Sequence, residues 1–320
     1  MNWISQLHEM LFPFDGEKLQ IENGFRLKSE NLPEAIFKYR SFDENGHSIK
    51  SLEESTIWLS GPLQFNDPFD STLTADYERL VTAKVCENLT TESIAGFNIP
   101  QEVIDEVKRT GRPIDGISDW VANTGGSDVT KENVGRHKNA LHFAIQRQCD
   151  ELRGNAFSIL HKAVKICSFT TRHDSLLMWG HYADSHRGFC VKYGLKGYDG
   201  VNDLRLRLLF PVMYSDALTD MTDFLARSGS GNFNNLWVQK AALTKSKEWE
   251  YEQEWRLLFT GVFKDDCAYP FLPATAIYLG ARIEQKNKDA LVQLAKKKGV
   301  EVYQMELSKQ KYQLLPTRLM

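Results

Sequence analysis

The chain has 320 residues, of which 42% are hydrophobic, 25% charged and 11% aromatic, a composition typical of globular proteins that excludes disorder over the whole chain. The 39 Lys and Arg residues nearly balance the 42 Asp and Glu residues, which excludes a generally basic, histone-like protein. No stretch is apolar over the length that a membrane-spanning helix requires, so we expect no membrane association.

Residues 1–30 are predicted to form an appended helical segment, because the opening MNWISQLHEMLFPFDGEKL has the pattern of an amphipathic helix. This opening lacks the basic n-region, the long apolar stretch and the cleavage site of a secretory signal. Five dispersed cysteines without a C-x-x-C pair argue against a disulfide framework or a zinc ribbon. Together these features predict a protein of the reducing cytoplasm.

Residues 31–320 are predicted to be one α+β domain. Short β-branched and aromatic runs between turn residues predict strands at 35–39 and 56–60. Between about 74 and 165, apolar residues spaced three and four apart predict a helical insertion. Strand-like composition returns after it, in the runs ICSFTT, GFCVKY, LFPVMY, WRLLFT and AIYLG.

The end of the chain is predicted to be a strand, helix, strand unit. The strands are expected at 276–280 and 300–307, with a helix from about Gln285 to Lys298 between them. Gly299 suits the left-handed position that often ends a helix. The three lysines before it complement the negative end of the helix dipole.

Four segments contain most of the residues with distinctive chemistry. They are KYRSF (38–42), WLSGPLQFNDPFD (58–70), SFTTRHDSLLMWGHYADSHRGFCVKY (168–193) and KSKEWEYEQEWRLLF (245–259). In order and wording they resemble a bacterial family known only as domain of unknown function 2971, over roughly residues 35–285. This resemblance does not by itself imply a function.

Two carboxylates in the last segment form a candidate site. In a strand read from Glu252 to Phe259, side chains alternate, so Glu252, Glu254 and Arg256 would share one face. When two carboxylates lie one pleat repeat apart, one can bind a substrate hydroxyl while the other activates a nucleophile. The same alternation is also typical of a solvated strand face.

The same segments resemble ADP-ribosyltransferases of the Arg-Ser-Glu type. That resemblance implies a twisted, split, antiparallel-rich sheet, with NAD as the substrate. Tyr39-Arg40 matches the aromatic-Arg of the first strand in that family. By the resemblance Arg40 would hold the NAD pyrophosphate, since a guanidinium forms paired hydrogen bonds to phosphate oxygens, and Tyr39 would shape the nicotinamide pocket.

The second and third family motifs match residues further along the chain. Ser168 and Thr170 correspond to the paired hydroxyls of the middle strand, close to the nicotinamide ribose. Glu252 and Glu254 correspond to the Glu-x-Glu of the later strand. By the resemblance Glu254 would stabilise the oxocarbenium-like charge as nicotinamide leaves, and Glu252 would prepare the acceptor.

The turn N-D-P-F-D admits two interpretations. Asn, Asp and Pro are strong turn formers, so the turn can be a rigid support that docks Phe65 and Phe69 into the core. Alternatively, Asp67 or Asp70 lines the cleft and holds a ribose hydroxyl or the acceptor. Asn66 joins these two residues as a candidate substrate-binding residue.

The segment from Met178 to Phe189 also admits two interpretations. Trp179 and Tyr182 can lie on the apolar face of a short helix, within the core. They can instead sandwich the nicotinamide or a flipped base, and in that case they are cofactor-binding residues. His181 is a further candidate for substrate binding, but its spacing to the next histidine is not a zinc spacing, so no metal site is assigned.

These residues predict an NAD-dependent ADP-ribosyltransferase that modifies an intracellular macromolecule, as a bacterial toxin or antiphage effector. Nucleic acid is weakly favoured over protein as the acceptor, since residues 281–320 carry nine Lys and Arg against four Asp and Glu. An antitoxin or immunity protein is the further partner that such a role implies.

Two alternatives remain open. One is a non-catalytic binding module. The other is a metal-dependent nuclease or other hydrolase, with the ligands Asp67, Asp70, His181 and Asp184. Phosphate-binding glycine loops and the motif of serine hydrolases are absent from the sequence, which argues against those classes of enzyme.

Overall fold

The computed structural model describes residues 2–91, 99–124, 130–227, 234–261 and 265–320. Two parts of the predicted helical insertion, 92–98 and 125–129, lie outside these ranges. The chain divides into two compact units. The first comprises 1–72, 160–219 and 232–320, and the second comprises 73–159 and 220–231.

The helices agree with the sequence at both ends of the chain. In order they are α1 (Trp3–Leu11), α2 (Ile21–Glu30), α3 (His47–Glu54), α4 (Tyr77–Asn88), α5 (Gln101–Thr110), α6 (Pro113–Thr124), α7 (Lys131–Ala163), α8 (Leu176–Tyr182), α9 (Leu204–Arg207), α10 (Thr222–Ala226), α11 (Trp237–Ala242) and α12 (Gln285–Lys298). Gly299 ends α12 in the left-handed region with φ 67°, which confirms its predicted role. None of these helices is long and apolar enough to cross a membrane.

Most of the predicted strands are also present. In order the strands are β1 (Ala35–Arg40), β2 (Thr56–Leu59), β3 (Leu73–Thr74), β4 (Val164–Thr170), β5 (Phe189–Gly194), β6 (Leu209–Pro211), β7 (Met213–Ser215), β8 (Thr219–Asp220), β9 (Thr244–Ser246), β10 (Glu254–Thr260), β11 (Cys267–Pro270), β12 (Ala276–Leu279), β13 (Glu301–Leu307) and β14 (Leu314–Arg318). The run LFPVMY forms two strands rather than one, because β6 pairs with β10 and β7 pairs with β9.

Eight of the strands form one mixed sheet in the first unit, in the order β14-β13-β12-β5-β1-β4-β10-β6. Within this sheet β12 and β13 pair in parallel, as the connection through α12 allows. The remaining neighbours are antiparallel. The fold class is therefore α+β with a large mixed sheet.

Each face of this sheet buries its own hydrophobic core. On one face Phe189, Val191 and Trp255 pack with the apolar residues of α12. On the other face Cys190 and Tyr278 pack with the apolar side of α8. Successive residues of one strand thus enter different cores, as the pleat requires. We call these two sides the α12 face and the α8 face.

The sheet opens between β1 and β4. The register of these two strands contains the single pair Phe37 and Thr170. Further along β4, Ile166 forms its antiparallel bridge with Ser60 instead of with β1. The two central strands therefore separate over most of their length, and the gap between them is where the candidate site lies.

The second unit is helical over most of its described residues. Its main core joins α4, α5 and α6 through buried residues such as Cys86, Ile104 and Val107. A smaller cluster joins Tyr77 and Val81 to Cys149. The amphipathic spacing of three and four that predicts helices in this segment thus corresponds to the residues that these cores bury.

Candidate active site

A cleft of about 450 Å³ lies at the opening between β1 and β4. Its walls come from β1 and β4, from the segment 58–70, from α8 and from the segment 245–254. It therefore draws on all four distinctive segments of the sequence. The candidate residues that line it are Tyr39, Arg40, Asn66, Asp70, Ser168, Thr170, His181, Tyr182, Glu252 and Glu254.

Two candidate residues do not line this cleft. Trp179 is fully buried beneath it, with its ring 5.1 Å from that of Tyr39 and its indole N–H donating to the His173 carbonyl at 2.8 Å. Asp67 lines a neighbouring cavity, and its carboxylate accepts a hydrogen bond from the Phe69 amide at 2.8 Å. Trp179 is thus part of the core, and Asp67 stabilises its own turn.

The sequence predicts one continuous strand through the Glu-x-Glu segment. The structure shows two separate elements instead. Glu252 ends a 3-10 helix that spans Lys247–Glu252, and β10 begins at Glu254. Between them Gln253 takes a left-handed conformation with φ 45°, so the strand does not extend back to Glu252. The prediction that both glutamates project from one strand face is therefore wrong for Glu252, although both side chains still reach the cleft.

Lys245 is what brings the two carboxylates together. Its ammonium lies 2.7 Å from Glu252 Oε2 and 2.9 Å from Glu254 Oε2. Arg256 binds Glu254 from the other side through Nε at 2.8 Å, and it also binds Asp70 Oδ2 at 2.7 Å. All five side chains are buried. The cluster contains one more carboxylate than cation, so it presents net negative charge to the cleft.

These cations keep the Glu254 carboxylate ionised. Burial alone would raise its pKa, but the charges of Arg256 and Lys245 outweigh burial and lower the pKa to about 2. The Ser168 hydroxyl contributes to the same lowering. Burial alone would lower the pKa of Lys245, but the neighbouring carboxylates, Glu254 most strongly, raise it above its ordinary value. Glu254 is therefore an anion and Lys245 a cation at neutral pH.

Neighbouring hydroxyls fix the positions of the two glutamates. Tyr182 donates to Glu252 Oε1 at 2.7 Å, and burial followed by the Glu252 charge raises the pKa of this phenol. The Thr170 hydroxyl donates to the Glu252 carbonyl. The Glu254 amide donates to the Tyr214 hydroxyl at 2.8 Å. Side chains from two strands, β4 and β7, and from α8 thus hold one short segment in place.

Arg40 and Glu254 line the same cleft from opposite faces of the sheet. Arg40 pairs with Phe189, which belongs to the core of the α12 face. Glu254 precedes Trp255, another residue of that core, so the Glu254 side chain projects from the α8 face. The two meet in one cleft because the sheet is open between β1 and β4.

The N-D-P-F-D turn matches each of its two interpretations only in part. Asp70 reaches the buried cluster beneath the cleft, and Phe65 covers Arg256, with its ring centre 5.5 Å from the guanidinium carbon. Phe69, however, is 64% exposed, so the expectation that the turn docks it into the core is wrong. The turn holds Phe69 outward because its amide is tied to the Asp67 side chain.

The segment after α8 is a left-handed turn. Asp184, Ser185 and His186 all have positive φ, and a bidentate ion pair between Arg187 and Asp184 spans the turn. Glycine is required at position 188, directly after this turn, because a Cβ there would lie 2.1 Å from the Arg40 carbonyl oxygen. This segment thereby seats the end of β1 against β5.

The four metal ligands of the hydrolase alternative do not share one site. Asp70 and His181 line the cleft, Asp67 lines the neighbouring cavity, and the Asp184 carboxylate is bound to Arg187. In the part of the chain that the structure describes, no three His, Cys, Asp or Glu side chains are grouped to hold a metal ion.

The sequence did not single out Lys245 as a site residue. It lies on the three-residue strand β9, in a segment rich in Lys and Glu, whose composition suggests a solvated surface. Its burial follows from the parallel pairing of β9 with β7, which no local pattern indicates. Arg256 was expected to share a face with Glu254, and the structure adds that it binds Asp70 as well.

Comparison with known proteins gives one family match. Residues 178–257 match the model of a family described as protein of unknown function, DUF2971. This span includes most of α8, the first four residues of β10 and both glutamates, and it supports the DUF2971 resemblance over this part of the chain. Neither the curated proteins nor the solved structures contain a match to the chain.

Proposed function

We propose that the protein is an NAD-dependent ADP-ribosyltransferase that transfers ADP-ribose to a macromolecule within the cell. The observation that carries this proposal is the Glu254 carboxylate, which is buried and held ionised at the wall of a cleft that Arg40 and Ser168 also line. A preorganised negative charge of this kind stabilises positive charge that develops in a transition state.

The cleft suits a dinucleotide in size and in charge. Its volume of about 450 Å³ lies within the usual range for small-molecule and cofactor sites. The side that holds Glu252, Glu254 and Asp70 is negative, whereas Arg40 on β1 is cationic. NAD has the matching distribution of charge, with a positive nicotinamide ring and a negative diphosphate.

Each side chain has a defined role in this proposal. Arg40 binds the diphosphate, and Ser168 with Thr170 and Tyr39 shapes the pocket for the nicotinamide ribose. Glu254 faces the ribose, where its charge favours cleavage of the bond to nicotinamide. Glu252, held by Tyr182, orients the acceptor that takes up the ADP-ribosyl group.

Incubation of the purified protein with adenylate-labelled NAD and cell lysate tests the proposal. We expect nicotinamide release and label transfer from the wild type, and a loss of roughly two to three orders of magnitude in Glu254→Gln. Separate digestion with RNase, DNase and protease identifies the acceptor, which the basic C-terminal residues predict to be nucleic acid.

Two further variants separate chemistry from folding. Ser168→Ala changes a partly exposed residue of the cleft wall, so it tests the site without disturbing the buried ion pairs. Glu250→Gln makes the same chemical change as Glu254→Gln at an exposed position of the 3-10 helix, outside the cleft. Absence of both nicotinamide release and label transfer from a folded wild type would overturn the transferase.

A further inference from the structure

The β1 wall of the cleft carries a second cation, Lys38, beside Arg40. Lys38 and Arg40 are two residues apart on β1, so their side chains project from the same face. Both line the cleft. Within the described ranges no Asp or Glu forms an ion pair with either of them, whereas the buried cations Lys245 and Arg256 are both paired with carboxylates.

Lys38 is held at the point where the sheet opens. Its ammonium donates to the Ser168 carbonyl at 2.8 Å and lies 5.9 Å from the centre of the Phe169 ring. In a continuous sheet a backbone amide of β1 would serve that carbonyl. Here the Lys38 ammonium takes the place of that amide. Because an ammonium has three donors, Lys38 can bind the Ser168 carbonyl and a ligand at the same time.

The charges of the cleft are thereby separated. Lys38 and Arg40 lie on the α12 face of β1, and the surplus carboxylate lies in the cluster of Asp70, Glu252 and Glu254. An anionic group entering the cleft is attracted to the first wall and repelled from the second. In the part of the chain that the structure describes, neither cation forms an ion pair with a carboxylate that would compete with such a ligand.

We infer that Lys38 and Arg40 together form an anion-binding wall that takes a diphosphate group. This rests on the proposed function, in which the diphosphate belongs to NAD. The guanidinium provides oriented, paired hydrogen bonds, and the ammonium provides a point charge on the other side of the group. Lys38 also connects that wall to Ser168, so diphosphate binding and the position of β4, which carries Ser168 and Thr170, are linked through one side chain.

Calorimetric titration with ADP-ribose and with inorganic diphosphate tests this inference. Neither ligand contains nicotinamide, so binding does not depend on the transfer reaction. We expect Lys38→Met to weaken ADP-ribose binding by roughly tenfold or more and to reduce the dependence of affinity on salt. Lys38→Arg retains the charge and should recover most of the affinity. Lys196→Met is the matched control, because Lys196 is exposed and lies outside the cleft.

The outcomes distinguish a ligand-binding role of Lys38 from a purely structural one. If Lys38 only stabilises the fold through its hydrogen bond to the Ser168 carbonyl, Lys38→Met lowers the melting temperature but leaves the affinity for ADP-ribose and its salt dependence unchanged. That result would overturn the inference. Failure of the wild type to bind either ligand would overturn it as well. Binding that weakens as expected, in a protein that releases no nicotinamide, would support the wall and overturn the transferase only.

Discussion

Lys245 Nζ lies 2.9 Å from Glu254 Oε2, and both side chains are almost completely removed from solvent. The same ammonium binds Glu252, which belongs to a different element of secondary structure. The spacing of the two glutamates is therefore set by a shared cation and not by the pleat of one strand. A buried cluster of this kind stays charged only while each ion keeps its partners.

Removal of Lys245 is expected to change the pH dependence of the reaction. In Lys245→Met three carboxylates face the single guanidinium of Arg256, and neighbouring carboxylates that lose a cation bind a proton more readily. A carboxyl pKa in the cluster rises, so the acid limb of the activity profile moves to higher pH. Nicotinamide release measured from about pH 3 to 9 checks this expectation, since the pKa of Glu254 in the wild type is about 2.

Two substitutions control that experiment. Lys245→Arg retains the charge and should keep the acid limb near its original position. Lys247→Met removes an exposed lysine whose ion pair with Asp216 spans 3.6 Å, and it should leave the profile unchanged. An acid limb in Lys245→Met that coincides with that of the wild type would contradict the role given to this cation.

His8 predicts how the stability of the protein depends on pH. Burial, followed by the nearby charge of Lys240, lowers its pKa from 6.5 to about 3. The unfolded chain therefore binds a proton that the folded chain refuses, so the His8 contribution to stability is complete above pH 6.5 and is lost as the pH falls towards 3. The loss amounts to about 1.4 kcal/mol per pH unit in this window.

His8→Phe should remove this part of the pH dependence. The side chain lies against Phe12, with ring centres 5.0 Å apart, and its Nδ1 has no partner in the described part of the chain. The free energy of unfolding, measured by urea denaturation between pH 7.5 and 5, gives the slope. His47→Phe changes an exposed histidine and should retain the slope of the wild type. Equal slopes in all three proteins would refute the prediction.

Gly188 and Gly180 are expected to respond to alanine in opposite directions. The Cβ of Gly188→Ala would lie 2.1 Å from the Arg40 carbonyl oxygen, so β1 must shift, at a cost of about 1–3 kcal/mol. The same shift displaces Arg40 and should reduce ADP-ribose binding. A Cβ at Gly180, in α8, meets nothing within 4 Å, and alanine there should stabilise the helix by roughly 0.5–1 kcal/mol. The melting temperatures of the two variants, and their affinities for ADP-ribose measured by calorimetric titration, test these expectations.

Tyr182→Phe is expected to affect transfer more than hydrolysis of NAD. It removes a 2.7 Å hydrogen bond to Glu252, the residue proposed to orient the acceptor, while the contacts of Glu254 remain. Loss of a hydrogen bond to a charged group costs roughly 1.5–3 kcal/mol. The ratio of label transferred to nicotinamide released should therefore fall. Tyr251→Phe removes a weaker contact to His181 at 3.4 Å, and a similar fall there would argue against a specific role for Tyr182.

The sequence by itself determined the elements whose signals are local. The bounds of α12 match the predicted helix, and β1, β4 and β12 lie on the predicted apolar runs, because periodicity and capping act over a few residues. The order of four motifs also indicated which segments belong together. Their residues do line one cleft, although no local pattern states the distances between them.

Only the tertiary structure decided the arrangement within the cleft. The left-handed Gln253 ends the strand that the sequence extended to Glu252. β9 then brings Lys245 to both glutamates. Arg40 and Glu254 project from opposite faces and meet only because β1 and β4 separate. These contacts join residues of different strands and helices, and their free energy depends on burial and charge pairing that exist only once the sheet has assembled.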